Sequence, residues 1–470
     1  MNPNTSTLIR PDVSQTSVPW AEEERNPQNP ELVFQAGLRN HNIANTAYPI
    51  AHRKTIWDYR VQEEQYEDLY RRTFQAHDPI GLYMHIPFCE ARCRYCEYTV
   101  VTGTEEEARR QYVKALQNEL KFYGNLIGRK ELIGMDIGGG TPSLVSAQDV
   151  QSLIHTMDDY FNRGPNFSIS IETTPKLAAE MPDRLAGYRN AGIDRISMGI
   201  QTINPEMLRR YGRELNRVDY NAKATWNIRK AGFRRFNLDL MYGFAGQSTE
   251  DFLATVQHTI ELEPEYITLY RMRYKGTAVK KEAADVVLRR VKEMNRYAVE
   301  LMAEHGYTAN PGKNTFSRIE GDKGTSAYLT ERVVNATPYL GTGLGAQTFT
   351  CNLLAYNQGA AARRMKKYLE YVSENRPPIQ DLYLLPKGEG MAKMVAVSFY
   401  FGEINTKEFY NKFGVSLEER FREEIEFVES KGLMYRNGDF WSLTKEGANN
   451  FNGVIALFYS DRVKEYLINL

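Results

Sequence analysis

The sequence predicts an α/β fold in which a partial barrel of about six strand–helix units precedes a smaller, mostly helical C-terminal domain. From residue 81 to about residue 270, short runs rich in β-branched and aromatic residues alternate with helical patterns, which is typical of βαβ units and a parallel sheet. About six units are fewer than the eight of a closed barrel. Beyond Pro377 and Pro378 the pattern changes to successive helices and one hairpin, which indicates a separate region.

Each predicted strand is a short, mostly apolar run that a helical segment separates from the next. The first such helix is supported by large side chains at helical spacing, namely Tyr112, Val113, Leu116, Leu120 and Tyr123. We expect strands at residues 82–86, 132–138, 167–172, 195–200, 235–243 and 266–272. The carboxyl ends of such strands lie at one edge of the sheet, where α/β active sites form.

The chain divides by its texture into four parts. Residues 1–80 are polar and weakly patterned, and they predict an extended arm with one helix at about residues 63–74. We expect the sheet to occupy residues 81–350, a linker to occupy residues 351–380 and a winged-helix-like domain to occupy residues 381–470.

The C-terminal region predicts two short strands after three helices at about residues 389–400, 406–412 and 417–431. Asn437-Gly438 is a strong hairpin turn between these strands. Helices followed by a hairpin resemble a winged helix, a domain that often binds DNA. Because residues 418–430 are acidic, a role as a lid or scaffold fits this region better.

The composition excludes several classes of protein. The 470 residues include 59 basic and 59 acidic side chains, so the net charge is zero and provides no general attraction to nucleic acid. No apolar run approaches the roughly 18 residues that a membrane span needs. The N-terminal residues are polar and lack the apolar segment of a secretory signal. We therefore expect a cytoplasmic protein, and we expect it to be a monomer.

Three of the four cysteines, Cys89, Cys93 and Cys96, lie within eight residues in the spacing CxxxCxxC. Clustered thiols in a chain without a secretory signal indicate a metal site more often than disulfides. Three thiolates can hold three irons of a [4Fe–4S] cubane and leave the fourth iron open, where S-adenosylmethionine (SAM) can chelate it. A structural zinc site is the alternative, but it needs a fourth ligand, and His85 is too close and too strand-bound to supply one. Cys351 stands alone and is typical of a small buried hydrophobic residue.

The residues around these cysteines belong to an ordered set of motifs. The set begins with Tyr83-x-His85-Ile-Pro-Phe-Cys89 and Cys93-x-Tyr95-Cys96. It continues with Gly138-Gly-Gly-Thr-Pro-Ser143, Ile169-Ser-Ile-Glu172, Arg195-Ile-Ser-Met-Gly-Ile-Gln201, Asn237-Leu-Asp239-Leu-Met-Tyr242-Gly243 and Leu340-Gly-Thr-Gly343. The set resembles the oxygen-independent coproporphyrinogen III oxidase family of radical SAM proteins, which includes haem chaperones and class C radical SAM methyltransferases. The resemblance covers residues 80–350 well and the C-terminal region loosely.

The resemblance implies a site for a SAM molecule bound to the cluster. Gly139, Gly140 and Thr141 would approach its methionine moiety, since glycines let the backbone come close to a ligand. The carboxylate of Glu172, at a strand end, would accept hydrogen bonds from its ribose or its amino group. Taken alone, the glycines are more typical of a simple turn, and Glu172 is more typical of a solvated charge.

The resemblance also implies a second SAM molecule, held by Gln201, Arg213 and Asp239. A carboxylate in the apolar strand that contains Asp239 needs partners, and the alternative to a ligand is an ion pair between Asp239 and Arg213. The further positions implied to contact cofactor or substrate are Tyr83, Tyr95, Arg273 and Gln347. Tyr95 has a structural aromatic role as its alternative. The residues expected to be catalytic are Tyr83, Glu172 and Asp239.

Departures from the family patterns narrow the expected reaction. Tyr98 stands where the oxidases carry a further cysteine, and histidines typical of the haem chaperones are missing. Residues 46–57 resemble the arm of the oxidases and of haem-degrading methyltransferases. We therefore expect a class C methyltransferase that uses one SAM as radical source and a second as carbon donor. Its substrate would be a planar conjugated molecule such as a quinone, a tetrapyrrole or a heteroaromatic metabolite.

Two alternatives to this reaction remain open. The first is oxidative decarboxylation of a porphyrinogen, and the second is a non-catalytic chaperone for haem or for a cluster. Any radical SAM reaction would also need an electron donor such as flavodoxin or ferredoxin.

Overall fold

The centre of the molecule is a mixed sheet whose parallel strands follow one another in chain order. The structure is a computed structural model that describes residues 18–23, 25–39 and 47–470. Most of the polar N-terminus and residue 46 of the predicted arm motif therefore lie outside the described residues.

The strands begin after the arm and continue to the last hairpin of the chain. In chain order the described strands are β1 (Ile80–Ile86), β2 (Phe88–Cys89), β3 (Val101–Thr102), β4 (Glu131–Gly139), β5 (Asn162–Arg163), β6 (Ile169–Thr173), β7 (Arg195–Gln201), β8 (Arg235–Tyr242), β9 (Tyr266–Arg271), β10 (Thr315–Ser317), β11 (Tyr339–Thr342), β12 (Gln347–Phe349), β13 (Leu353–Asn357), β14 (Ile379–Leu384), β15 (Glu403–Asn405), β16 (Met434–Asn437) and β17 (Phe440–Leu443). Twelve of them form one sheet in the order β10-β9-β8-β7-β6-β4-β1-β11-β12-β13-β14, with β5 paired to β4.

The helices cover both the sheet and the C-terminal region. In chain order the described α-helices are α1 (Pro30–Arg39), α2 (His52–Thr55), α3 (Tyr66–Gln75), α4 (Glu106–Ile127), α5 (Ala147–Tyr160), α6 (Pro175–Glu180), α7 (Pro182–Asn190), α8 (Pro205–Arg210), α9 (Tyr220–Lys230), α10 (Thr249–Glu261), α11 (Leu288–Glu304), α12 (Ala327–Val334), α13 (Met365–Ser373), α14 (Lys387–Ser398), α15 (Thr406–Phe413), α16 (Leu417–Arg420), α17 (Arg422–Ser430), α18 (Lys445–Asn449), α19 (Phe451–Leu457) and α20 (Asp461–Ile468). None of these helices is long and apolar enough to cross a membrane.

The predicted α/β fold is confirmed, because all six predicted strands are present as β1, β4, β6, β7, β8 and β9. Each of these strands is parallel to its neighbour in the sheet. Strand β11, which was not predicted, pairs in parallel with the other edge of β1. The carboxyl ends of the seven parallel strands therefore lie at one edge, and the loops that follow them can meet there.

The predicted linker at residues 351–380 is wrong. Strand β13 lies wholly inside this segment, β14 begins inside it, and both are antiparallel strands of the large sheet. The carbonyl of Pro378 accepts a hydrogen bond from the amide of Gln358 at 2.7 Å, so the two prolines form a turn within the core. We therefore propose that the core extends to Leu384.

The C-terminal region has the predicted helices and hairpin, with one difference. Strands β16 and β17 pair around Asn437 and Gly438, and β15 adds a third strand to this second sheet. The helix predicted at residues 417–431 is interrupted at Phe421, whose fully buried ring joins the core of this region. The arm contributes Val33 and Ala36 of α1 to the same core, so it is part of the packed structure.

Candidate active site

The three clustered cysteines lie on the loop that follows β1. Cys89 ends the short strand β2, and the amide of Cys96 donates to the carbonyl of Cys93 at 3.0 Å, which closes a turn between them. The Thr141 hydroxyl oxygen lies 3.5 Å from the sulfur of Cys89. Burial raises the pKa of the Cys89 thiol to about 11, and the neighbouring thiols raise it further. A metal displaces such a proton when it binds, because the thiolate is the ligand.

His85 is not free to supply the fourth ligand that the structural zinc alternative needs. Within the described residues, no three His, Cys, Asp or Glu side chains are grouped closely enough to bind one metal ion. A cubane places its cysteine ligands on three separate irons, so its thiols lie farther apart than those of a single ion. Both ring nitrogens of His85 are already engaged, with the Thr99 carbonyl at 2.8 Å and with the Tyr83 hydroxyl at 3.2 Å.

The guanidinium of Arg213 contacts the cysteine loop. It lies 3.5 Å from the sulfur of Cys93 and donates a second hydrogen bond to the carbonyl of Gly199. A methyl group on Gly199 would lie 3.0 Å from this guanidinium and 2.6 Å from the amide nitrogen of Gln201, so only a glycine leaves room for both. The Nε of Arg213 is buried without a partner among the described residues. Arg213 thus donates to the cysteine loop and the backbone, and no ion pair joins it to Asp239 in the described structure.

The glycine turn after β4 is required by packing. Gly139 has a φ of +124°, and a methyl group there would lie 2.6 Å from the ring of His85. A methyl group on Gly140 would lie 2.6 Å from the carbonyl oxygen of Phe88, so the turn and the cysteine loop touch through their backbones. This close approach places Thr141 beside Cys89.

Glu172 and Tyr83 meet above the start of the glycine turn. A methyl group on Gly138 would lie 3.1 Å from the Glu172 carboxylate and 3.2 Å from the Tyr83 hydroxyl. Glu172 accepts a hydrogen bond from the amide of Gly139 at 3.3 Å. Its side chain keeps exposed surface, yet burial by the surrounding protein raises its pKa to about 8, and the charge of Asp239 adds to this. Glu172 thus has protein around it and one open side. We call the region in front of that open side, at the carboxyl edge of the sheet, the enclosed space.

Asp239 and Gln201 occupy neighbouring strands of the same sheet. Asp239 pairs in register with Gly199 and accepts a hydrogen bond from the Asn237 amide at 2.8 Å. Burial raises the pKa of Asp239 to about 6, although the Asn237 hydrogen bond opposes the shift. Gln201 has a φ of +69°, and its buried side-chain oxygen has no donor among the described residues. A non-glycine residue with positive φ at a strand end is typical of a functional position.

The remaining predicted site residues lie at the margins of this site. The ring of Tyr95 packs against Phe244 with ring centroids 5.6 Å apart, which supports its structural role. Arg273 forms an ion pair with Glu97, directly after the third cysteine. Gln347 lies in a separate group and donates to the Tyr356 hydroxyl at 2.9 Å.

Three tyrosines that line the enclosed space were not predicted as site residues. The side chain of Tyr98 is 59% exposed, yet burial by the surrounding protein raises its pKa. Tyr270 on β9 behaves in the same way, and its hydroxyl lies 3.5 Å from that of Tyr400, which follows α14. The sequence marks Tyr98 only as the residue that stands where the oxidases carry a cysteine. No local pattern connects Tyr400 to the site.

The residues present fit a cluster and SAM. The loop supplies three thiols, and the Nε of Arg213 and the side-chain oxygen of Gln201 are buried without partners among the described residues. The carboxylates of Glu172 and Asp239 add two acceptors with raised pKa values. Buried polar atoms without partners are rare in proteins and are satisfied by ligands at binding sites.

Comparisons with known proteins identify two domains and several relatives of this chain. The model of the radical SAM superfamily matches residues 83–259, and the model of the HemN C-terminal domain matches residues 401–448. The haem chaperone HemW of Haemophilus influenzae is 26% identical over 82% of this chain and 98% of its own length. The oxygen-independent coproporphyrinogen III oxidase of Escherichia coli is 26% identical over 63% of this chain and 66% of its own length. The solved structure of the Escherichia coli coproporphyrinogen III oxidase HemN, 22% identical, matches the fold with a TM-score of 0.73 over 88% of this chain and 96% of that one.

The prediction of a class C methyltransferase is wrong. The relatives that match over most of the chain are named as haem chaperones, with a coproporphyrinogen oxidase among the others. The methyltransferase prediction depended on single departures such as Tyr98, and one side chain of a shared site does not determine the reaction. The radical SAM superfamily implies a [4Fe–4S] cluster and SAM. This chain contains a radical SAM domain at residues 83–259 and a HemN C-terminal domain at residues 401–448, and HemW and the oxygen-independent coproporphyrinogen III oxidase are among its relatives.

Proposed function

We propose that this chain is a tetrapyrrole-binding radical SAM protein whose role is that of a haem chaperone. The observation that carries the proposal is the alignment with HemW, which spans 98% of that protein and 82% of this chain. An alignment of this extent reaches far beyond the cysteine loop. It therefore favours a role shared with HemW, whereas a match confined to the cysteine loop would support only a shared iron–sulfur cluster.

The enclosed space suits a planar tetrapyrrole. The described residues around it include Tyr98, Tyr270 and Tyr400. The first two keep exposed surface, and the hydroxyl of Tyr400 lies beside that of Tyr270. Aromatic rings stack on flat conjugated ligands, and a hydroxyl gives each ring a polar end. Because Tyr400 follows α14, the C-terminal region closes this space from one side.

The polar residues divide into two groups. Cys89, Cys93 and Cys96 would hold the cluster, which supplies reductive cleavage of SAM when both are bound. Glu172 and the Gly139 amide would orient the SAM molecule next to it, since a carboxylate accepts hydrogen bonds from ribose and amino groups. The unpartnered atoms of Gln201 and Arg213 support a second polar ligand, for which a second SAM molecule is the proposed candidate.

Oxidative decarboxylation of a porphyrinogen is the second candidate function. The observation that favours it is the close meeting of Tyr83 and Glu172 in the enclosed space, together with Asp239 nearby. A carrier that never cleaves SAM has no evident need of two neighbouring carboxylates with raised pKa values, and such groups are typical of sites that do chemistry. The departures in the sequence do not separate the two candidates, because Tyr98 replaces the further cysteine of the oxidases and the histidines typical of the haem chaperones are also missing.

An electron donor such as flavodoxin or ferredoxin would reduce the cluster, and one face of the molecule suits it. The loops at residues 209–213 and 274–278 contact the cysteine loop, with the Tyr211 carbonyl accepting from the Arg94 amide at 2.9 Å and the Arg94 carbonyl accepting from the Ala278 amide at 3.0 Å. Exposed cations on this face are Arg92, Arg94, Arg209, Lys275 and Lys280. A small acidic redox protein would be attracted to this face although the whole chain has no net charge.

Anaerobic titration with haem, with and without SAM, tests the proposal. A chaperone binds haem, leaves it chemically unchanged and passes it to an apo-haem protein in a transfer assay. An oxidase instead converts coproporphyrinogen III, with loss of carbon dioxide and formation of vinyl groups. Binding of neither tetrapyrrole would overturn the proposed function.

A further inference from the structure

A second polar group lies on the arm side of the enclosed space. We call it the Arg332 cluster, and its members are His52, Arg332, Tyr339, Gln347, Tyr356 and Lys393. Hydrogen bonds link its uncharged members, because Gln347 donates to the Tyr356 hydroxyl at 2.9 Å and accepts from the Tyr339 hydroxyl. The ring of His52 lies against Tyr356, with its Nε2 3.3 Å from the hydroxyl.

Arg332 is held by aromatic rings. Its guanidinium carbon lies 4.2 Å from the ring centre of Tyr339 and 6.0 Å from that of Tyr328, and it donates to the Tyr328 hydroxyl at 3.3 Å. Its Nε is buried and has no partner among the described residues. Stacking on tyrosine keeps the planar guanidinium in one orientation while leaving its donors available.

Lys393 adds a second cation to the cluster. It is fully buried on α14, donates to the backbone carbonyl of Tyr48 and lies 5.1 Å from the ring centre of Phe349. The positive charge of Arg332 lowers the pKa of Lys393, in addition to the larger effect of burial. An anion placed beside Arg332 and Lys393 would offset this repulsion and favour the protonated form of Lys393.

The protein itself does not supply that anion at contact distance. Among the described residues, neither Arg332 nor Lys393 forms an ion pair with a carboxylate. Glu389 is bound instead to the Tyr48 hydroxyl at 2.9 Å and to Ser460. Asp136 accepts from the Ser326 hydroxyl at 2.8 Å, and its other oxygen has no partner.

Glu331, the sequence neighbour of Arg332, is also engaged elsewhere. Its carboxylate accepts from the Asn335 amide at 2.7 Å and from the Thr337 hydroxyl at 3.4 Å. The described partners of Arg332 and Lys393 are therefore aromatic rings, a hydroxyl and a backbone carbonyl, and none of them is a carboxylate.

The Arg332 cluster is connected by aromatic rings to Tyr83 and Glu172, at the end of the space nearer the cysteine loop. The ring of Tyr83 stacks on Tyr328 with centroids 6.2 Å apart, and Tyr328 meets Tyr339 at 5.8 Å. Tyr83 in turn lies beside Glu172. Arg332 and Gln347 both keep partial exposure although strands and the arm surround them. A ligand that lies over Tyr83 can therefore reach Arg332.

We propose that Arg332, in the field of Lys393, binds a carboxylate group at the edge of the ligand that occupies the enclosed space. This inference rests on the proposed tetrapyrrole function, since haem and porphyrinogens carry propionate side chains. A guanidinium stacked on tyrosine, with its Nε unpartnered and no carboxylate paired with it among the described residues, is suited to a carboxylate ligand. The neutral donors of Gln347 and Tyr356 would extend the same contact.

A pair of ligands that differ only in their carboxylates tests the inference. Protoporphyrin IX and its dimethyl ester share one ring, but only the free acid carries anionic carboxylates. The wild-type protein should bind the acid roughly ten- to hundredfold more tightly than the ester, the effect of one charge-assisted hydrogen bond. Arg332→Gln should weaken binding of the acid to the level of the ester, and Arg332→Lys should fall between the two.

The exposed residue Arg289 provides the matched control, and Arg289→Gln should leave both affinities unchanged. Equal wild-type affinities for acid and ester would overturn the carboxylate site and leave tetrapyrrole binding intact. Absence of binding for both ligands would overturn the proposed function and this inference with it. If Arg332→Gln does not fold, the wild-type comparison of acid and ester still decides the question.

Discussion

The guanidinium of Arg213 lies 3.5 Å from the sulfur of Cys93, a residue 120 positions earlier in the chain. The contact joins the loop after α8 to the cysteine loop after β1. It also changes the role expected of Arg213, which the resemblance assigned to a second SAM molecule. One terminal nitrogen of Arg213 serves a cluster ligand and the other serves the Gly199 carbonyl, while its buried Nε has no partner among the described residues.

Replacement of Arg213 by Gln should lower the reduction potential of the cluster. A cation beside a ligating sulfur stabilises the more negative, reduced state, so its removal makes reduction harder by an amount on the order of tens of millivolts. A redox titration followed by electron paramagnetic resonance measures the change. Arg213→Lys retains the charge and should recover part of the shift, whereas an unchanged potential in Arg213→Gln would contradict this role.

Replacement of Glu172 by Gln should weaken SAM binding and leave the cluster in place. The Gln side chain cannot ionise when the donors of SAM bind, and charge-assisted hydrogen bonds contribute about 1.5–3 kcal/mol, or roughly ten- to hundredfold in affinity. Isothermal titration of the reconstituted protein with SAM measures the loss. Glu180→Gln, at an exposed helix end, is the control. Normal SAM affinity in Glu172→Gln would remove Glu172 from the SAM site.

Charge reversal at the exposed cations beside the cysteine loop should distinguish a protein electron donor from a chemical reductant. The double variant Arg94→Glu with Lys275→Glu should slow SAM cleavage supported by flavodoxin and leave cleavage supported by dithionite unchanged, because only the protein donor needs to dock. The difference should shrink as salt is added. Lys366→Glu, on α13, is the control. An equal loss with both reductants would mean that the variant damages the cluster loop.

Glu119 should make the protein less stable as the pH rises. Its carboxylate accepts from the Gly343 amide at 2.7 Å, the Asn357 amide at 2.7 Å and the Tyr368 hydroxyl, but burial still raises its pKa from 4.5 to about 7. Below pH 4.5 both folded and unfolded chains hold this proton. Between pH 4.5 and about 7 the unfolded chain releases it first, so the free energy of unfolding falls by an amount on the order of 3 kcal/mol.

Urea unfolding at pH 5 and pH 8 measures this dependence. The Glu119→Gln variant should show a smaller fall between the two pH values than the wild type. Other buried carboxyls, such as Glu389 with its pKa raised by burial to about 7, remain in both proteins and cancel in the comparison. An identical fall in both proteins would show that Glu119 is not titrating in this range.

The parts of the fold that local patterns predicted are those with continuous burial. Strand β7 is buried along almost its whole length, and such apolar runs between helices identify a parallel strand without further information. Strand β14 was missed because it follows directly on two prolines, which are typical of a boundary. Its place is decided by pairing with β13, a contact that no local pattern encodes.

The same limit applies to the site. Cys89, Cys93 and Cys96 share one loop, so their spacing alone predicted a common ligand. Tyr400 and Arg332 come from distant parts of the chain, and only the packing of whole elements brings Tyr400 beside Tyr270 and Arg332 beside Tyr339. The sequence shows each of them as an ordinary surface or core residue.

The iron and sulfide content of four single-cysteine variants tests the central assignment most directly. After anaerobic reconstitution, Cys351→Ala should retain a full cubane and its absorbance, because Cys351 is buried away from the cysteine loop. Cys89→Ala, Cys93→Ala and Cys96→Ala should each lose the cluster and all SAM cleavage. A full cubane in any of these three variants, or its loss in Cys351→Ala, would contradict the account.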